Sequence, residues 1–195
     1  MVLEILDIDP RKPHLLNRIG HILLAHFHRT GSGGDINNCI LAYDLATQLL
    51  HVNDAKFLDF FYDCGMLFLE RYNLTGNLAD INQATSKLEI AVKGTINNHE
   101  PNPDWVSQLG MSFLQCFKHI GDPTNIYKAI SLQQKVVQLT PEGHASMPGR
   151  LNSLGNLFRI CFECTGDLTN ISRAISSYQK AVQLTPEGHP EMPGF

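Results

Sequence analysis

The cysteine and histidine side chains are the residues of this sequence whose types and spacing could do chemistry. Cys161-x-x-Cys164 has the spacing of redox and zinc motifs, and Cys116 lies three residues before His119. Both pairs fall in stretches of helical periodicity, and Cys161 follows Cys116 by 45 residues in a repeating pattern, which indicates thiols packed in a core. Zinc needs four ligands, and no second pair at zinc-finger spacing is present. We therefore predict no catalytic residue and no metal site, with a Cys/His hydrolase or metal site at Cys116 and His119 as the alternative.

Other histidines and one glycine-rich segment carry weaker signals. A group with ligand-like spacing also lacks a fourth ligand: His21, His26 and His28. Three more recur at 45-residue intervals in predicted loops: His99, His144 and His189. Recurrence favours a shared loop hydrogen bond over a unique catalytic base, and pH sensing is the alternative. The segment Gly31-Ser-Gly-Gly34 lacks the lysine and the preceding strand of a phosphate loop, so we predict no cofactor.

The elements that position these residues follow from an internal repeat of 45 residues. This period aligns four glycines without a gap: Gly20, Gly65, Gly110 and Gly155. Apolar residues four before, three after and seven after each glycine form one face of a first helix, helix A. Small residues mark the face of a second helix, helix B: Cys39, Ala84, Ala129 and Ala174. Residues 121–149 and 166–194 match at 21 of 29 positions, so the repeat is not an accident of composition.

Turn residues delimit these helices. A glycine suited to a left-handed helix end comes first, at Gly31, Gly76, Gly121 and Gly166. An N-cap residue follows each of them, at Ser32, Asn77, Asp122 and Asp167. Helix B ends at Thr140-Pro-Glu-Gly-His144 and at the identical segment 185–189, whereas the first two units have His51 and Ile96 in place of the proline. We therefore expect less sharply defined connections after the first two B helices.

Composition excludes several classes of protein. The chain has 195 residues, 43% of them hydrophobic, and a formal net charge of −4 without charge runs, which gives no footprint for nucleic acid or an anionic membrane. The apolar stretches are too short to span a membrane, and the N-terminus lacks the basic region of a signal peptide. Five cysteines, an odd number, are typical of a reducing compartment. We predict a cytoplasmic protein with no nucleic-acid and no membrane partner.

The period predicts the organisation of the chain. Residues 1–11 form a lead-in, and residues 12–185 form a repeat domain with units at about 12–55, 56–101, 102–146 and 147–185. Residues 186–195 copy the start of a fifth unit and then stop. This favours a segment of a longer protein. The alternative is that the uncovered helix B of the fourth unit, with Ile175, Tyr178 and Val182, pairs with a partner or a second copy.

The pattern resembles the tetratricopeptide repeat (TPR). That motif has Trp-x-x-Leu-Gly-x-x-Tyr in its first helix, and Leu151-x-x-Leu154-Gly155-x-x-Phe158 meets it with conservative changes. Its second helix has alanine, a bulky residue, alanine and then proline, as at Ala174, Tyr178, Ala181 and Pro186. The period is 45 residues instead of about 34, and we interpret most of the excess as a longer helix A.

The amino-acid sequence of the second half is similar to the long TPR arrays of fungal CHAT-domain proteins. The segments that carry this resemblance include Arg-Leu-Asn-Ser-Leu-Gly-Asn-Leu-Phe at 150–158 and Thr-Gly-Asp-Leu-Thr-Asn at 165–170. In that family a caspase-like CHAT domain follows the array, and its histidine and cysteine would lie beyond residue 195. Nothing in this chain matches that domain, so the resemblance implies a scaffold or sensor arm and no protease activity for this segment.

The resemblance also implies a binding surface, because the A helices of TPR arrays line a concave groove. The positions three before and one after the repeat glycine, with one arginine a turn further on, would face a partner: Asn17, His21, Tyr62, Met66, Ser107, Met111, Asn152, Asn156 and Arg159. Asparagine and arginine can bind a peptide backbone or carboxylate, and methionine and tyrosine supply apolar contact.

We thus predict an all-α protein, a right-handed α-solenoid of four TPR-like helical hairpins. It would be a non-catalytic scaffold that holds a protein or peptide segment in the concave groove. Self-association through helix B of the last repeat is the alternative.

Overall fold

The helices account for all regular secondary structure in the part of the chain that the structure describes. This structure is a computed structural model that describes residues 9, 11–98 and 101–185. The helices are α1 Lys12–Thr30, α2 Gly33–Leu49, α3 Phe57–Thr75, α4 Leu78–Asn98, α5 Pro103–Ile120, α6 Pro123–Leu139, α7 Met147–Thr165 and α8 Leu168–Leu184. Odd-numbered helices are the predicted A helices and even-numbered helices the predicted B helices. The all-α prediction is confirmed, and each predicted unit holds one hairpin of two helices.

The chain divides into two compact units, Met1–Glu100 and Pro101–Phe195. In the first unit α1 packs on α2, α2 on α3 and α3 on α4. In the second unit α5 packs on α6, α6 on α7 and α7 on α8. Each unit is therefore two hairpins stacked through a B helix and the following A helix. Most of the predicted lead-in (residues 1–8 and 10), His99, and the incomplete fifth unit with His189 lie outside the described residues.

Each hairpin turns at the glycine and N-cap pair that the sequence predicts. The four glycines have φ between 70° and 72°, and their N–H groups donate to the carbonyl four residues earlier. Asn77, Asp122 and Asp167 then accept a hydrogen bond from the N–H two residues further on, at 2.9–3.0 Å. Ser32 holds the N-cap position of α2, but its side chain makes no capping hydrogen bond.

The connections after the B helices partly contradict the prediction drawn from proline. As expected, α4 lacks the proline and continues to Asn98, four residues beyond the equivalent end of α6. However, α2 also lacks it and still ends at Leu49, where its repeat equivalent α6 ends at Leu139. In the loop after α2 the Asp54 carboxylate accepts from the Lys56 N–H at 2.8 Å, as His144 at the same repeat position accepts from the Ser146 N–H after α6. Asp54 also lies 3.1 Å from His14 Nε2, so this loop is held by hydrogen bonds although it lacks the proline.

Small residues let the two helices of each hairpin approach closely. Cys39, Ala84, Ala129 and Ala174 are all 0% exposed. The isoleucines three residues earlier on α2, α4 and α6 are equally enclosed, since Ile36, Ile81 and Ile126 are at most 2% exposed. The predicted core positions of helix B are therefore confirmed in these hairpins.

A polar cross-pair also joins helix A to helix B within a hairpin, between residues nine apart. In the second hairpin Arg71 Nε donates to Asp80 Oδ2 at 2.9 Å, and Asp80 is buried. One repeat earlier the pair is His26 with Asp35, whose Nδ1 and Oδ2 atoms are 2.7 Å apart. In the fourth hairpin Asn170 Nδ2 donates to Cys161 Sγ at 3.4 Å. The same two repeat positions thus form three different kinds of polar pair.

Candidate functional site

Tyrosine rings position two of the nine residues that the sequence places on the partner-binding surface. Tyr43 and Tyr178 on the B helices lie directly over Gly20 and Gly155, and a Cβ added to Gly155 would be 2.7 Å from Tyr178 Cε1. This contact brings each hydroxyl to the residue after the glycine. Tyr178 donates to Asn156 Oδ1 at 2.9 Å, and the Tyr43 hydroxyl lies 3.1 Å from Nδ1 of His21.

His21 and Asn156 therefore have partners inside their own hairpins. Tyr43 is buried, and this burial raises its pKa, so its hydroxyl keeps its proton and can donate to His21. The two residues lie on the predicted surface, but part of their hydrogen-bonding capacity is used within the fold.

The positions three before the glycine differ between the units. Asn17 is half-buried, and its Nδ2 atom is enclosed without a hydrogen-bond partner among the described residues. Tyr62 is half-buried on α3. In the second unit Ser107 and Asn152 lie on α5 and α7, and both line one groove. Ser107 and Asn152 are thus the predicted residues that the structure brings together.

The other three predicted residues do not line this groove. Met66 is half-buried and Met111 is 42% exposed, and they belong to different units. Arg159 forms an exposed ion pair with Glu163 one turn further along α7. An exposed pair of this kind adds little to stability, so the Arg159 guanidinium remains accessible to a partner.

The second unit has a groove on its surface. Its volume is about 950 Å³, and all four helices of that unit and the loop between α6 and α7 contribute to it. The polar side chains in its wall include Ser107, Gln133, Asn152 and Ser153, and the apolar ones include Met147 and Val182. The groove is therefore mixed in character, with amide and hydroxyl groups beside aliphatic surface.

Arg150 builds the wall of this groove, and the sequence analysis missed it. Its guanidinium donates to Thr140 Oγ1 and, at 2.9 Å, to Asp104 Oδ1. Its carbonyl accepts from Gln133 Nε2 at 3.0 Å, which ties α6 to the start of α7. The repeat could have identified this residue. Arg150 holds the position of Phe60 and Trp105, so it is a cation at a position that is aromatic in the two preceding repeats.

Asp63 is a second residue that sequence reasoning missed. It lies on α3 and is half-buried. Burial raises the pKa of this carboxyl group, and nearby His21 opposes the rise. Its repeat equivalents are Arg18, Gln108 and Ser153, so the position is polar throughout, but its burial could not be read from the sequence.

The cysteines lie in the core, with one exception. Cys39, Cys64, Cys116 and Cys161 are buried, and Cys164 is exposed. Burial raises the pKa of Cys39 to about 11 and that of Cys64 to about 12, and it also raises the pKa of Cys161. These three thiols are protonated at neutral pH and are poor nucleophiles. In Cys161-x-x-Cys164 one thiol is enclosed and the other faces solvent.

In residues 9, 11–98 and 101–185, no group of three or more His, Cys, Asp and Glu side chains is placed to hold a metal ion. None of the helices described above has the length and apolar character to cross a membrane. His144 makes the predicted loop hydrogen bond, because its Nδ1 accepts from the Ser146 N–H at 3.2 Å.

Comparisons with known proteins support the fold alone. No protein family model matches the sequence, and no curated protein matches it. Among solved structures, the chain is similar to BtubC (BKLC) from P. vanneervenii, with a TM-score of 0.56 and 16% identity over 94% of this chain and 69% of that chain. It is also similar to the DHF38 filament, with a TM-score of 0.54 and 14% identity over 89% and 92% of the two chains. A de novo designed helical repeat protein, DHR64, aligns with a TM-score of 0.44 and 15% identity over 90% and 96%. This chain has an all-α, helical-repeat fold.

Proposed function

We propose that this chain is a non-catalytic scaffold that binds an extended segment of a partner protein. The observation that carries the proposal is the groove of the second unit, where Ser107 and Asn152 on neighbouring A helices line one concave surface. A volume of about 950 Å³ is at the upper end of the range of about 300–1,000 Å³ for ligand pockets. It is large enough for a few residues of peptide.

The groove has the groups that a peptide backbone requires. An extended segment presents N–H and C=O groups in alternation, and the amides of Asn152 and Gln133 and the hydroxyls of Ser107 and Ser153 can pair with both kinds. Met147 and Val182 offer aliphatic contact for a side chain of the partner. Arg150 is already paired with Asp104, so among the described residues that line the groove no lysine or arginine is free to select an acidic segment.

The proposal extends to the class of repeat. The spacing of Leu151, Gly155 and Phe158 with Ala174 and Ala181 supports a TPR-like array, and the wording of the second half supports the kind found in fungal CHAT-domain proteins. In such a protein this segment would be the recognition arm, in the cytoplasm, and any catalysis would belong to another domain.

Selection from a random peptide library displayed on phage, against the full chain, tests the proposal. We expect Asn152→Ala with Ser107→Ala to weaken the binding of the selected peptides about 5- to 150-fold, because two neutral hydrogen bonds are lost at about 0.5–1.5 kcal/mol each. Asn38→Ala is the matched control, since Asn38 is an exposed helical asparagine outside the groove. Titration by fluorescence anisotropy measures the affinities.

Two outcomes would overturn the proposal. One is that no library peptide binds the chain, and the other is that every peptide binds the Asn152/Ser107 variant as tightly as the parent. Asn156→Ala is a poorer choice than Asn152→Ala, because it also removes the acceptor of the Tyr178 hydroxyl and so perturbs the fold.

A further inference from the structure

The first helix carries an exposed apolar stripe on its outer face. Leu15, Ile19 and Ile22, which we call the α1 stripe, are 50%, 50% and 70% exposed. One repeat later on α3 the same positions are covered by α2: Phe60, Cys64 and Leu67 are 3%, 0% and 3% exposed. The α1 stripe therefore has the residue types of a surface that a B helix covers elsewhere in the same unit.

The last helix carries the complementary surface. Ile175, Tyr178 and Val182, the α8 stripe, include two strongly exposed side chains, at 49% for Ile175 and 61% for Val182. Three repeats earlier on α2 the same positions are Ile40, Tyr43 and Thr47, and all three are at most 5% exposed. On α2, Tyr43 packs over Gly20 of its own hairpin and also lies near Asp63 of α3. The α8 stripe therefore adjoins the surface that a B helix presents to the following A helix.

The junction between α2 and α3 shows how such surfaces fit. Phe60 on α3 packs with Ala46 and Leu50 at the end of α2. In repeat numbering, Leu15 corresponds to Phe60, and Ala181 and Thr185 correspond to Ala46 and Leu50. Leu15 can therefore make a similar contact on α8, with leucine in place of Phe60 and threonine in place of Leu50.

We propose that the α1 stripe of one copy of this chain packs on the α8 stripe of a second copy, in the register of the α2–α3 junction. Charge does not oppose the contact. The cations of α8, Arg173 and Lys180, hold the repeat positions of Asn38 and Leu45, which stay exposed on α2, so a cation of α1 such as Arg18 meets no like charge in this register. A helix of each copy contributes a different surface. The contact is therefore heterologous, and repeated contacts produce rings or open chains of copies.

One helix-to-helix junction is smaller than the standard interface of about 1,600 Å², so we expect weak, concentration-dependent association. Light scattering on the 195-residue chain should show a weight-average mass that rises above 21.8 kDa with concentration. Ile22→Asp removes one stripe and Ile175→Asp the other, because each places a charge in an apolar contact. Neither variant should associate with itself. Tyr178 and Val182 of the α8 stripe also line the groove, so a bound peptide and a second copy compete for this surface. Ile175 lies outside the groove, so Ile175→Asp should abolish association and leave peptide binding unchanged.

A mixture of the two variants tests directly whether the α1 stripe binds the α8 stripe. The Ile22→Asp chain keeps an intact α8 stripe and the Ile175→Asp chain an intact α1 stripe, so an equal mixture should form a complex of two chains and go no further. Leu41→Asp is the matched control, because Leu41 is 58% exposed outside both stripes, and it should associate as the parent does. Circular dichroism should show equal helical content in all variants.

Three results would overturn the proposal. A parent chain that stays monomeric at every concentration would mean that other residues, including its own termini, cover the stripes. Association that survives Ile22→Asp and is lost in Ile175→Asp would indicate two α8 helices facing each other. A mixture that contains only monomers would exclude the α1–α8 contact itself.

Discussion

At Gly155 and Gly20 the absence of a Cβ atom lets the two helices of the hairpin pack together. At both, a tyrosine ring from helix B occupies the space where a Cβ would stand. Gly110 holds the same repeat position, but the residue opposite is Gln133, which turns away to the Arg150 carbonyl. A Cβ at Gly110 would lie 3.5 Å from its nearest neighbour, Leu132 Cβ, which is an ordinary contact.

Gly155→Ala and Gly110→Ala should therefore have opposite effects. We expect Gly155→Ala to lower the free energy of unfolding by about 1–3 kcal/mol, because the added methyl group displaces the Tyr178 ring. Gly110→Ala should raise it by up to about 1 kcal/mol, because alanine is the better helix former and meets no clash. Urea denaturation followed by circular dichroism measures both.

A double variant checks the cause. Tyr178→Gln gives the fourth hairpin the residue type that the third hairpin has at this position, and on that background Gly155→Ala should cost much less stability than it does in the parent chain. Equal losses at Gly155 and Gly110 would show that the tyrosine ring is not responsible.

At this scale the sequence predicts positions better than contacts. The repeat identified the glycines, the small residues of helix B and the positions beside the glycines. It did not predict that Tyr178 would use the acceptor of Asn156 or that Arg150 would be anchored by Asp104, because such hydrogen bonds depend on side-chain directions that no periodicity specifies.

Between elements, the cross-pair is the strongest polar link from helix A to helix B. Arg71 makes two hydrogen bonds to Asp80, at 2.9 and 2.5 Å, and a third to Asn37 on α2. The Asp80 side chain is only 3% exposed. Its carboxylate therefore depends on Arg71 for the interactions that water would otherwise supply.

Loss of Arg71 should therefore be costly. We expect Arg71→Ala to destabilise the protein by about 3 kcal/mol, because it leaves the Asp80 carboxylate buried without a partner. Arg159→Ala is the matched control, because its ion pair with Glu163 is exposed and its loss should change stability little. Thermal and urea unfolding compare the two variants. Similar small effects would mean that solvent reaches Asp80 more easily than its burial indicates.

Among the features of the helices, the sequence predicted the helix boundaries well. The Gly-Asp and Gly-Asn turns end one helix and cap the next through local hydrogen bonds, which depend only on neighbouring residue types. The end of α2 was not predictable in this way, since Asp54 fixes the turn partly through His14, a residue 40 positions away.

For the whole molecule, we expect the charge composition to make the folded state less stable in acid. The chain carries 15 lysines and arginines and nine histidines against 19 acidic residues, so it becomes strongly positive when the carboxylates protonate. Asp122 and Asp167 take part in this transition, because the N–H groups of Thr124 and Thr169 hold the pKa of each below its usual value of 3.8. Ionised caps therefore add stability above that pH, and the gain is lost as pH falls below it.

Asp122→Asn with Asp167→Asn should reduce this dependence on acid. Asparagine caps the same turn in the second hairpin, at Asn77, so the helix starts remain formed at neutral pH. The variant should melt close to the parent at pH 7 and lose less stability than the parent between pH 5 and pH 3, roughly the range over which a carboxylate titrates. Melting curves by circular dichroism across this range measure the effect.

The control replaces the same residues with alanine. That variant lacks a cap at every pH, so it should melt below the parent at pH 7 as well. If the asparagine variant follows the parent curve at all pH values, the two caps do not contribute to acid unfolding.

The cross-pair bears on how such a chain can grow. Both of its members lie in one hairpin, nine residues apart, as His26 with Asp35, Arg71 with Asp80, or Cys161 with Asn170. A tandem duplication of 45 residues whose ends fall outside this nine-residue interval therefore copies both partners together. After duplication each copy is free to change its pair without regard to its neighbours, and ionic and thiol–amide versions can persist side by side in one gene.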